Sequence, residues 1–147
     1  MTSIPNDNHV ARHCRARNVC GDEVSGDEFE LRLNRPNPED YLSVNWLEKS
    51  GKELLEEQLS VVRKQIPLTP KSKDRLARLN VGSAKLRVFD NVDNLEISFR
   101  LIGGRQRSTY SGIFDIPMIE RISKAVGIQL AMAASGNLHP AVEPIDV

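Results

Sequence analysis

The stretch LEISFRL, residues 95–101, decides the fold class. Leu95, Ile97, Phe99 and Leu101 alternate with Glu96, Ser98 and Arg100, the period of two that marks a strand with one wet face. Upstream, after Gly82, Ala84, Leu86 and Val88 alternate with Lys85 and Arg87, and the Asp90–Asn94 turn joins the two runs into a predicted β-hairpin. Downstream, Gly103 and Gly104 make a second turn and Tyr110–Phe114 supplies a further strand, so a meander is predicted from Ala84 to Phe114.

The flanks add strands and helices. YLSVNWL, residues 41–47, is apolar on both faces and reads as a strand buried on both sides. Phe29, Leu31 and Leu33 alternate with Glu28, Glu30 and Arg32 as another strand, and His9–Ala16 permits a short one. Ser50 and Glu53 have the spacing of a capping box, which places a helix start there. Leu55, Leu59, Val62 and Ile66 then form one apolar stripe until Pro67 ends the helix. Thr69 before Pro70 predicts a short helix through about Leu79. Asp115 and Pro117 announce a last helix striped by Ile119, Ile122, Val126 and Leu130, with Gly136 as a left-handed cap. The prediction is one α+β domain over residues 9–140: a mostly antiparallel sheet of five or six strands with two main helices on one face, covering Leu86, Val88, Ile97 and Phe99. Residues 1–8 are expected to fray and 141–147 to form an irregular tail.

Composition bounds the function. The 147 residues are 39% hydrophobic, enough for one core, and 20 basic residues balance 20 acidic ones. Net charge therefore points neither to nucleic acid nor to an acidic tail. No apolar run long enough to span a bilayer and no secretion signal are evident, so a cytoplasmic protein is expected. Cys14 and Cys20 read as free thiols. The neutral total hides a segregation: Asp22–Glu57 holds 11 acids against 4 bases, and Arg63–Arg87 holds 8 bases against Asp74 alone. If the predicted short helix and hairpin lie side by side, Arg75, Arg78, Lys85 and Arg87 share a surface with Arg105 and Arg107, a footprint suited to phosphate or an acidic partner.

Few residues carry the pattern of a reaction. His9, His13, Cys14 and Cys20 fall close together, but His13 and Cys14 are adjacent and point apart on a strand, so the spacing argues against zinc and no metal or cofactor is expected. The loop Gly103–Thr109 offers flexible backbone, two arginines and two hydroxyls, without the spacing of a P-loop. Ser43 and Asn45 interrupt an apolar strand on one side of it and, with Arg12 and His13 on an earlier strand, compose a candidate nucleotide-contacting pocket. Glu53, Glu56 and Glu57 favour their helix dipole and do not form a catalytic pair.

HVARHCRAR, EFELRL, YLSVNWLEK and STYSGIFDIP together resemble a pattern found in small bacterial proteins that combine an R-x-C strand with an L-S-V-N-W-L-E strand. The resemblance spans His9 to about Pro140 and implies no reaction, cofactor or partner. Members often carry histidine before the Ser-Gly-Ile of the last segment, where this chain has Tyr110, a departure that weakens any claim of a catalytic imidazole there.

Three functions follow as expectations. The first is a non-catalytic protein-interaction module of a bacterial multicomponent system, because no catalytic constellation survives the spacing tests and segregated charge suits steered docking. The second is a nucleic-acid or nucleotide-phosphate binder using the six basic residues named above. The third is a small enzyme on a nucleotide-like substrate using Arg12, His13, Ser43 and Asn45, which requires those side chains to converge.

Overall fold

The computed structural model describes residues 2–144. Its strands are β1 (His9–Cys14), β2 (Val19–Cys20), β3 (Glu23–Val24), β4 (Leu42–Trp46), β5 (Arg75–Asn80), β6 (Ser98–Leu101), β7 (Tyr110–Phe114) and β8 (Leu138–Pro140). Its helices are α1 (Leu55–Gln65), α2 (Val81–Asn91) and α3 (Glu120–Ala134). Six strands form one antiparallel sheet in the order β6-β7-β4-β1-β5-β8, and β2 pairs with β3 apart from it. The fold is α+β, as the strand periods predict.

Neighbouring residues of β1 serve different cores. Val10 and Cys14 pack with Val81, Ala84 and Val88 of α2 and with Val126 and Leu130 of α3. Ala11, on the other face, packs with Leu47, Leu76 and the α1 residues Leu59 and Val62. Two helices thus lie together on one face, but they are α2 and α3. The Leu55-to-Ile66 stripe is present and covers the opposite face, a correction to the expected pairing of that helix with the last one. A sheet apolar on both sides in β1 and β5 needs cover on both sides.

Four local predictions give way. Ala84 and Val88 fit a strand period, but with Val81 they fall at i, i+3 and i+7 on one helical face, and the Asn80 side chain accepts from the Ser83 amide at 2.9 Å, so this segment caps and coils into α2. Leu86 faces solvent, outside the core the hairpin assigned to it. Arg75–Leu79 is no helix: β5 pairs with β1 over six residues. Leu76 and Ala77 are buried on its two faces. Phe29–Leu33 finds no strand partner; Ser25 accepts from the Asp27 amide and caps a 3-10 turn over Gly26–Phe29. Phe29 and Leu31 still enter the core, and the Leu31 amide donates to Ser123 Oγ on α3 at 2.8 Å. The Ser50–Glu53 box does not form either: Ser50 Oγ accepts from the Lys52 amide, and α1 begins at Leu55.

The predicted strand Tyr110–Phe114, the turn at Gly103–Gly104 and the last helix appear where the periods put them. Gly127 on α3 meets the Gly26–Phe29 turn so closely that a Cβ there would lie 2.8 Å from the Gly26 carbonyl oxygen. Before β1, the Ile4 amide donates to the Phe99 carbonyl and the Leu101 amide to the Thr2 carbonyl, which lays the start of the described chain along β6. At the far end Arg63 of α1 bonds the Pro140 carbonyl and the Glu143 carboxylate. Among the described residues, no helix is long and apolar enough to cross a membrane.

Candidate functional site

The β1–β4 ladder pairs Val10 with Trp46 and Ala11 with Asn45, and then the strands part. Arg12 occupies the gap. Its Nη1 donates to the Ser43 carbonyl at 2.7 Å and its Nε to the Glu28 carbonyl, in place of further ladder bonds. By strand alternation Arg12 leaves β1 on the face opposite Asn45, yet its guanidinium lies between the strands and lines the same cleft. That cleft, about 210 Å³, also takes in His13, Ser43 and Asn45. The four residues of the candidate pocket are therefore brought together by the opening of one strand pair.

The wall around them is strongly cationic. Arg12, Arg15, Arg32 and Arg107 face Glu28 and Glu39, four guanidiniums against two carboxylates. Glu28 is already satisfied: it is 2% exposed and accepts from the Arg15 amide, from Arg15 Nε and from Asn18 Nδ2. Glu39 accepts from the Arg32 amide at 2.8 Å. Among the described residues, the guanidiniums of Arg32 and Arg107 make no hydrogen bond or ion pair, and Arg107 Nε is buried without a partner. Burial pushes the Arg12 pKa below its ordinary value, against the opposing pull of the Glu28 and Glu39 charges.

Hydroxyl groups line the β4–β7 side. Asn45 lies opposite Tyr110 in the register, and Tyr110 OH is 3.1 Å from Ser43 Oγ and 2.6 Å from Tyr41 OH. Hydrogen bonding to Tyr110, with burial, pushes the Tyr41 pKa up to about 12, so the phenol keeps its proton at neutral pH. Three hydroxyls carry three protons and share two links, which leaves one O–H free to donate to a ligand. Gly112 makes room for this row, since a Cβ there would lie 2.8 Å from the Tyr41 ring and 2.7 Å from that of Phe114. Asn45 itself is held by Thr109 Oγ1, and Thr109 in turn bonds Gln65 at the end of α1.

His13 sits on the floor with Nε2 2.8 Å from Asp74 Oδ2. Asp74 also accepts from the amides of Lys71 and Ala16. Burial raises its pKa, but those two amides and the His13 ring outweigh it and hold the carboxyl below its usual value. Ile66, Pro67 and Leu68 form the lip, with Leu68 68% exposed.

The basic residues read from the sequence are dispersed. Arg75 and Arg78 alternate on β5; Arg75 bonds the Ser72 and Asp74 carbonyls, and Arg78 lines a separate recess with His9 and Asn80. Lys85 donates to Asn6 and Arg87 to the Met132 sulfur from α2. Arg105 stays in the exposed β6–β7 loop, and of the six only Arg107 lines the cleft. Arg15, Arg32, Tyr41, Leu68 and Asp74 were not singled out by pattern; the one signal for Asp74 was a lone acid in a run of bases. His9 bonds Glu48, Cys14 is buried and Cys20 exposed. Among the described residues, no group of three His, Cys, Asp or Glu side chains is placed to hold a metal ion. No family model matches the chain, and no curated protein or solved structure is detectably similar to it.

Proposed function

We propose that the protein is a binding module that holds the phosphate group of a ligand in the cleft between β1 and β4. One observation carries this reading: Arg32 and Arg107, whose guanidiniums have no acceptor among the described residues, line the cavity that Arg12, Ser43 and Tyr110 also line. Unpaired guanidiniums beside a free O–H are the donor set that tetrahedral oxyanions match, and bidentate arginine contacts favour phosphate over a spherical anion. Calorimetric titration of inorganic phosphate tests this reading. Each of Arg32→Ala and Arg107→Ala is expected to weaken binding about 10-fold, the size of one lost charge-assisted hydrogen bond. Unchanged affinity in both variants refutes the reading.

A second reading, an accessory module that docks on a protein partner within a cytoplasmic bacterial assembly, is favoured by Leu86 and Phe89 on α2 and Ile128 and Met132 on α3, all exposed apolar side chains. Leu86→Glu with Ile128→Glu is expected to abolish capture of a native partner without changing the melting temperature; retained capture removes this reading.

A further inference from the structure

We infer, resting on the phosphate reading above, that the ligand is a phosphate monoester carrying a planar aromatic ring, which lies on the Arg107 guanidinium beneath the Pro67–Leu68 lip. Arg107 Cζ stands 3.7 Å from the centre of the Tyr110 ring. The three other cation–ring contacts lie at 5.3 to 5.8 Å, so this one is a stack and the others are looser approaches. The partnerless Arg107 Nε agrees with a guanidinium laid flat, its in-plane N–H aimed past the ring. A guanidinium has two faces, and Tyr110 covers one. The other belongs to a residue that lines the cleft, where a second planar group can complete a ring–guanidinium–ring sandwich.

The lip supplies the rest of the ring's surroundings. Ile66, Pro67 and Leu68 bring apolar surface into a cavity whose other walls are charged or hydroxylic, and an exposed leucine there gains by covering an apolar ligand face. An inorganic anion uses neither the lip nor the open face of Arg107. A phosphate on an aromatic body uses both, with its oxygens toward Arg12 and Arg32. An aryl ester and a nucleoside both supply such a ring, and the probes separate these sources.

The test is calorimetry of the full chain with inorganic phosphate, cyclohexyl phosphate, phenyl phosphate and AMP. Phenyl phosphate is expected to bind about 10-fold more tightly than inorganic phosphate and about 5-fold more tightly than its non-planar cyclohexyl counterpart. AMP equal to phenyl phosphate supports the inference with a nucleoside source, and phenyl phosphate alone supports it with an aryl source. Arg107→Lys keeps the charge and loses the plane, so it is expected to hold inorganic phosphate within about threefold while the phenyl-to-cyclohexyl preference disappears. Equal binding of the phenyl and cyclohexyl esters by the unaltered protein overturns the inference and leaves the phosphate site standing, as does a preference that survives in Arg107→Lys. Binding of none of the four refutes the phosphate site and this inference with it.

Discussion

Replacing Asp74 by asparagine removes one of two carboxylate oxygens that together accept three hydrogen bonds. Oδ1 takes the Ala16 amide at 3.0 Å, and Oδ2 takes the Lys71 amide at 3.0 Å and His13 Nε2 at 2.8 Å. An amide keeps one oxygen and turns an NH2 toward whichever donors remain. Asp74 is 5% exposed, so water does not replace the lost acceptor. Hydrogen bonds to a charged group are worth about 1.5–3 kcal/mol each, and with one bond lost and a second converted to a neutral acceptor the expected cost is about 2–4 kcal/mol. In a chain of this size that lowers the melting temperature by roughly 5–12 °C. The sign with pH is fixed by the depressed carboxyl: its stabilisation is fully present above the unfolded value near 3.8 and is lost as pH falls through the lower folded value. Thermal melts of wild type and Asp74→Asn should therefore differ at neutral pH and converge as pH falls through the lower folded value of the carboxyl. Equal melting temperatures at pH 7, or a gap that persists undiminished in strong acid, refutes the reasoning.

Gly127→Ala is expected to destabilise by about 1–3 kcal/mol although alanine is the better helix former by about 1 kcal/mol, because its Cβ meets the Gly26 carbonyl oxygen at 2.8 Å and backbone cannot give way cheaply; urea melts decide the sign. Burial pushes the Cys14 thiol up to about 12, whereas Cys20 is exposed, so iodoacetamide at pH 8 should label one thiol in the native protein and two in denaturant. Leu130→Ala, at a fully buried position on α3, should cost about 2–5 kcal/mol by denaturant unfolding, and a smaller loss would mean that the core there collapses to fill the space.

Much of the sheet was legible because period two leaves little freedom: Tyr110–Phe114 must put Ser111 and Ile113 inward, and it does. Legibility failed where two periods coincide. Ala84 and Val88 satisfy a helix as well as a strand, and Val81 with the side-chain cap of Asn80 decides between them. Leu76 and Ala77 are buried on opposite faces of β5, so no alternation marked that strand, and Pro70 drew the reading toward a helix. Phe29 and Leu31 alternate in burial without any strand to pair with, since what they pack against is α3. Ser43 and Asn45 were found as polar interruptions in an apolar run, and Arg12 and His13 as polar residues of an earlier strand, which are local signals. Arg107 was read as part of a different basic surface, and Arg32 was invisible for the opposite reason: the two come from loops far apart in sequence, and only the parting of β1 from β4 makes them neighbours.

The placement of the ligand is measured most directly by following backbone amide resonances as inorganic phosphate is added. Saturable shifts should concentrate at Arg12 and His13, Ser43 to Asn45, Ile66 and Leu68, and Arg107 to Ser111, the backbone that borders the cleft. Shifts confined to Arg75, Arg78, Lys85 and Arg87, or a spectrum that phosphate leaves unchanged, would contradict the account.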